Sequence, residues 1–236
     1  MRQLVRQEKT DTMRKLFVYG CSFSIAYVSN EKLPPINMEE GWPYIVAKSI
    51  NYEIVDRTRS GFGYSHIVNR LNEDLMNNKI SKQDIILISP STFLRVTYPE
   101  LKDTMVSSDQ GIDWLEISAK YGKSVKEIVE LNVMRFYLKI KLLSELGYKI
   151  YGWCWSLGRF PETAAIGKSL KNIGSNLVYT PDSTLLWEDW ILDNPNCMLI
   201  PGKPLPDGSW TGDTHFSKHG HKVAADHFVK FLKKII

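Results

Sequence analysis

Short apolar runs alternate with longer amphipathic stretches along most of this chain. KLFVYG (15–20) reads as a buried strand, and GWPYIVAKSI (41–50) as a helix, with Trp42, Ile45, Val46 and Ile50 recurring at helical spacing. YEIVDRT (52–58) reads as a second strand and SHIVNRLNEDLMNN (65–78) as a second helix. QDIILISP (83–90) is a third strand ended by a proline, which cannot continue a sheet ladder. KEIVELNVMRFYLKIKLLSELG (126–147) is a long helix. Ile128, Leu131, Phe136, Leu138, Leu142 and Leu146 approximate its apolar stripe, and Gly147 supplies the stop. YKIYGWCW (148–155) is a fourth strand, and NLVYT (176–180) or CMLIP (197–201) supplies a fifth. SKHGHKVAADHFVKFLKKII (217–236) closes the chain as a helix with Ser217 as its N-cap.

This order of strands and helices predicts a parallel sheet covered on both faces, with ligands bound at the carboxyl ends of the strands. Residues 96–125 interrupt the rhythm, with a short helix expected at DWLEISAKYG (113–122). The stretch is too long for a simple connection and reads as a lid-like insertion. Residues 1–14 read as a polar, flexible lead-in and 15–236 as one domain.

Composition narrows the class. At 43% hydrophobic and 24% charged the chain is an ordinary globular protein, and a net charge of +4 spread along it leaves no nucleic-acid footprint. Cys21, Cys154 and Cys197 are too widely and irregularly spaced for a disulfide framework or a zinc set, which suggests a reducing compartment. Without a long apolar run or an apolar leader, the expectation is a cytoplasmic protein that does not engage membrane.

Several motifs fail on inspection. GFGYSH (61–66) starts like a dinucleotide fingerprint but has His66 where its third glycine belongs. GKS (167–169) lacks the glycine a phosphate loop requires upstream. His215, His219, His221 and His227 crowd the C-terminal segment without a carboxylate or cysteine set to complete a metal site. No metal and no cofactor are expected. Trp153 and Trp155 fall in a strand and read as core. Trp187, Trp190 and Trp210, in loop-rich sequence, are candidates to line a pocket.

What survives is drawn from the strand ends. Ser22 follows a glycine turn after the first strand, and Asp213 and His215 precede the last helix. A serine hydroxyl attacks a carbonyl only when a base takes its proton, and the base needs a carboxylate to hold its tautomer.

YGCSFS (19–24), RSGFGYSHI (59–67) and DTHFSKHGHKVAADHF (213–228) resemble, in order, the first, second and last blocks of the SGNH (GDSL-like) hydrolases. The resemblance implies a three-layer α/β/α sandwich around a mostly parallel, five-stranded, flavodoxin-like sheet. It assigns Ser22 as nucleophile, His215 as base, Asp213 as the supporting carboxylate, and Gly61 as an oxyanion donor with the Ser22 amide. Three positions depart from the family's pattern: Cys21 replaces the aspartate of G-D-S, and Asp213 stands two rather than three residues before the histidine. The third block, ISPSTFLR (88–95), lacks an asparagine, so Ser91 is the first substitute donor, Ser89 or Thr92 an alternative, and Arg95 a further aid to an anionic group.

The implied activity is hydrolysis of a small acyl ester, an O-acetylated carbohydrate being the candidate class. An inactive binding or assembly module, or an acyltransferase using the same acyl-enzyme, are the alternatives.

Overall fold

In a computed structural model of the chain the described residues are 13–24, 37–60, 63–90, 96–97, 105–106, 122, 124–156, 171–203 and 211–236. Four strands form the central sheet: β1 (Lys15–Tyr19), β2 (Glu53–Asp56), β3 (Ile85–Ile88) and β6 (Lys149–Gly152), in the order β2-β1-β3-β6 and all parallel. Successive side chains on a strand point to opposite faces. Leu16, Val18, Ile85 and Leu87 therefore enter one core, and Phe17, Tyr19, Ile86 and Ile88 the other. The first core is closed by α1 (Trp42–Ile50) and by the C-terminal helix α5 (Lys218–Leu232). The second is closed by α2 (Tyr64–Met76) and α3 (Val125–Glu145). A sheet buried on both faces needs continuous apolar strands, and β3 is buried at every position.

The two cores differ in kind. The first is aromatic: Trp42, Trp153, Trp187 and Phe228 pack ring on ring, with Trp42 stacked on Phe228 at 4.3 Å and Trp187 stacked on its other side at 5.3 Å. Trp187 and Trp190, both on the short helix α4 (Trp187–Leu192), are buried in this core. Trp210 lies outside the described residues.

The sheet has four strands where five are expected. The fifth position, beside β6, is filled by two isolated parallel bridges, Gly152 with Leu177 and Cys154 with Leu186. The NLVYT segment cannot run on because the Thr180 amide turns back to the Thr184 carbonyl at 3.0 Å, around Pro181. The other candidate pairs elsewhere: β7 (Met198–Ile200) is antiparallel to β8 (Asp213–Phe216) in a separate two-stranded sheet. Of the 96–125 insertion, the described part includes β4 (Val96–Thr97) and β5 (Met105–Val106), an antiparallel pair. The helix expected at 113–122 falls outside the described residues except Gly122, as do residues 1–12 of the lead-in.

Two of the helices, α3 and α5, are capped by side chains. Ser124 and Glu127 exchange hydrogen bonds in a capping box at the start of α3. Ser217 accepts the Gly220 amide at 3.1 Å to cap α5. The apolar stripe of α3 differs from the one expected. Val129, Val133, Phe136, Ile140 and Leu143 face the core, whereas Leu138, Leu142 and Leu146 are about half exposed together with Met134.

Candidate active site

β1 delivers its C-terminal end to a tight turn. After Gly20 and Cys21 the chain makes one 3-10 turn, Ser22–Ser24, closed by the Ser24 amide on the Cys21 carbonyl at 2.9 Å. The turn packs closely against Gly20, where a Cβ would lie 2.2 Å from Ser24 Oγ and 3.0 Å from Ser24 Cβ. Neighbouring loops are tied to the same backbone: the Ser89 amide donates to the Tyr19 carbonyl (2.8 Å) and the Arg59 amide to the Gly20 carbonyl (3.2 Å). Trp42 Nε1 donates to the Phe23 carbonyl at 3.2 Å, anchoring the turn to the start of α1. Cys21 and Ser22 are both buried.

Asp213 and His215 both lie on β8. Asp213 Oδ1 is 2.6 Å from His215 Nδ1 and also accepts the His215 backbone N–H at 3.0 Å. An ionised carboxylate has no proton to give, so Nδ1 carries the hydrogen and Nε2 is left as the basic nitrogen. The two-residue spacing has a physical cause. Gly212 occupies the position three before the histidine, and a Cβ there would lie 2.3 Å from the Ile200 carbonyl oxygen and 2.7 Å from the Gly202 amide. A carboxylate-bearing side chain cannot stand at 212, and Asp213 is the next position able to carry one. The register between β7 and β8 shifts by one residue within this stretch, so Leu199 faces both Thr214 and His215. Such a bulge re-aims side chains locally.

What joins the two halves is an aromatic stack. The Phe23 ring lies parallel to the His215 imidazole, with centroids 4.4 Å apart and planes at 15°. Its other face lies on Trp155 at 3.8 Å and 12°. His215 is thus held against the residue that directly follows Ser22.

No protein-family model matches this sequence, and a search of curated proteins finds no significant match. Solved structures do match over nearly the whole chain. A psychrotrophic esterase from Pseudoalteromonas sp. superposes with a TM-score of 0.51 at 14% identity, over 94% of this chain and 97% of that one. A catalytic mutant of an acetylxylan esterase from Geobacillus stearothermophilus gives 0.51 at 14% identity, over 93% and 94%. A member of the G-D-S-L lipolytic family from Veillonella parvula gives 0.50 at 11%, over 94% and 100%. The fold is that of the SGNH (GDSL-like) hydrolases.

Within this SGNH fold, the remaining candidates are unevenly placed. Ser89 stands at the end of β3, fully buried, with its hydroxyl donating to the Pro90 carbonyl at 3.2 Å. Gly61, Ser91, Thr92 and Arg95 lie outside the described residues. Phe23 and Trp155, which stack beside His215, carried no signal in the sequence that marked them for this position. His221 is buried on α5, where its Nδ1 accepts the Trp42 amide at 3.2 Å. Burial, helped by the nearby His215, holds its pKa down to about 4, so this second imidazole stays neutral.

Among the described residues no group of three or more His, Cys, Asp or Glu side chains is placed to hold a metal ion. No helix among them is long and apolar enough to cross a membrane.

Proposed function

We propose that this chain is a serine ester hydrolase acting on small acyl esters, with Ser22 as nucleophile, His215 as general base and Asp213 as the carboxylate that orients it. The observation that carries the reading is the 2.6 Å Asp213–His215 pair, stacked on the residue next to Ser22. With Nδ1 committed to Asp213, Nε2 takes the proton of the Ser22 hydroxyl as Oγ bonds to the acyl carbon. The proton then passes to the departing alcohol as the ester C–O bond breaks. Water attacks the acyl-serine by the same route in reverse and releases the acid.

The oxyanion is met by the Ser22 amide, Gly61 and a donor from the third loop. Ser91 and Arg95 fill that last role better than Ser89, whose hydroxyl is already engaged. Each such donor is worth about 3 kcal/mol of transition-state stabilisation. O-Acetylated carbohydrate is the substrate class we favour, in keeping with the acetylxylan esterase among the similar structures.

A fluorophosphonate probe tests the reading without requiring the natural substrate, and a phosphonate inhibits the Pseudoalteromonas esterase of similar fold. The wild type is expected to take up one probe per chain and Ser22→Ala none. An unlabelled wild type supports the inactive-module alternative and defeats the proposal. Labelling lost in Cys21→Ala but kept in Ser22→Ala would move the nucleophile to the thiol. Product analysis with acetylated xylan then separates acetate release from transfer to a second alcohol.

A further inference from the structure

Ring stacking at the Ser22 turn has a role that the nucleophile–base–carboxylate assignment leaves unused. Phe23 is sandwiched between Trp155, itself buried in the aromatic core, and the imidazole of His215. Three near-parallel rings therefore run from the core to the base. Trp155 is set in turn by edge contacts to Trp153 (6.4 Å) and Phe216 (5.3 Å), so the stack has a rigid floor. The Phe23 backbone is equally fixed, its carbonyl accepting the Trp42 indole N–H.

Resting on the proposed serine-hydrolase reading, we infer that Phe23 is a positioning residue which sets the plane of the His215 ring and stabilises its protonated form. Asp213 constrains the ring at one nitrogen only, and rotation about that single hydrogen bond would swing Nε2 away from its partner. A flat neighbour against the imidazole face removes that freedom. The same face carries the negative side of the aromatic quadrupole, and an imidazolium stacked on it gains an attraction that a neutral imidazole lacks. The charge appears on His215 as Ser22 gives up its proton, so the gain falls in the transition state. Because Phe23 directly follows Ser22 in the chain, one turn places the nucleophile and also holds the base. Titratable groups facing His215 include Asp213 from its own strand and His221 from α5. His221 stays neutral and adds no competing charge at neutral pH.

The test compares Phe23→Leu, which keeps apolar volume without a flat π-face, with Phe23→Tyr, which restores the ring. Each is followed by probe-labelling rate and by kcat and KM on a p-nitrophenyl acyl ester across pH. Phe23→Leu is expected to lower kcat and the labelling rate about tenfold, the worth of one aromatic pair, with KM little changed. The lower pKa governing its rate profile moves up in acidity, to a lower value, and Phe23→Tyr recovers both rate and profile. A folded Phe23→Leu protein with wild-type kcat and an unmoved pH profile overturns the inference. So does a loss confined to KM or thermal stability, which marks Phe23 as packing only. Failure of Ser22→Ala to abolish labelling defeats the hydrolase reading instead, and the two failures are distinguishable.

Discussion

Two carboxylates, one tied to the end of β1 through Tyr19 and the other to the turn after it through His215 and Phe23, are used in opposite ways. Asp74, buried on α2, is saturated: it accepts Tyr19 Oη at 2.8 Å, Arg57 Nε at 2.8 Å and Lys79 Nζ at 3.1 Å. Burial alone would push its pKa up, but the bonds from Arg57, Tyr19 and Lys79 together hold it below the usual carboxylate range. Tyr19 is driven up, first by burial and then by its bond to Asp74, so this cluster holds its protons fixed. Asp213 instead holds an imidazole through Nδ1 and braces the backbone beside it. A carboxylate surrounded by permanent cations is committed to structure. One bonded to a group that can gain and lose a proton is available for chemistry.

Substitution at each should therefore break a different property. Asp213→Asn keeps the shape but can donate to Nδ1, which selects the wrong tautomer. We expect kcat to fall by about 10³- to 10⁴-fold with little change in melting temperature, read by ester turnover and calorimetry. A variant that retains turnover would place the orienting carboxylate elsewhere. Asp74→Ala is the reverse case. It leaves the buried Tyr19 hydroxyl without its acceptor and the half-buried Arg57 guanidinium without its counter-charge, and we expect a loss of about 2 kcal/mol in urea unfolding. Probe labelling of the folded fraction should keep its wild-type rate. Slowed labelling would mean that the Asp74 cluster sets the geometry of the Ser22 turn through Tyr19.

How much of this was legible beforehand depends on the range of the interaction. Strands β1, β2, β3 and β6 and the four long helices follow from local periodicity, and the Ser217 cap from one residue type in one place. The contact between Asp213 and His215 was foreseeable because side chains two apart in extended chain share a side. Its cause was not, since Gly212 meets the Ile200 carbonyl only once the chain is folded. Helix α3 misled because it carries two apolar rows at helical spacing, and the sequence contains no signal for which row the sheet covers. The fifth strand failed for a tertiary reason: CMLIP found DTHF, a segment too short and polar to stand out as a strand. Phe23 on His215 joins residues from opposite ends of the chain, and no local pattern announces such a stack.

A third group sharpens the contrast through pH. His221 is as buried as Asp74 yet receives no compensating charge, and burial with the influence of His215 lowers its pKa to about 4 from the ordinary 6.5. The folded state thus binds this proton less readily than the unfolded chain does. Its contribution to stability is complete above pH 6.5, declines as pH falls through 6.5 toward 4, and is gone below. Integrated for one such group, the loss between pH 8 and pH 5 is about 2 kcal/mol. His227, lowered chiefly by burial, pulls in the same direction, while Asp74 loses its contribution only at more acid pH, below the ordinary carboxylate value. His221→Gln keeps an acceptor for the Trp42 amide and cannot titrate. Urea unfolding across that range should show a shallower fall for His221→Gln than for wild type, with the slope due to His227 left. Equal slopes would mean that His221 titrates in the folded protein as it does in the unfolded chain, so that a second cation would form near His215 as the pH falls through 6.5.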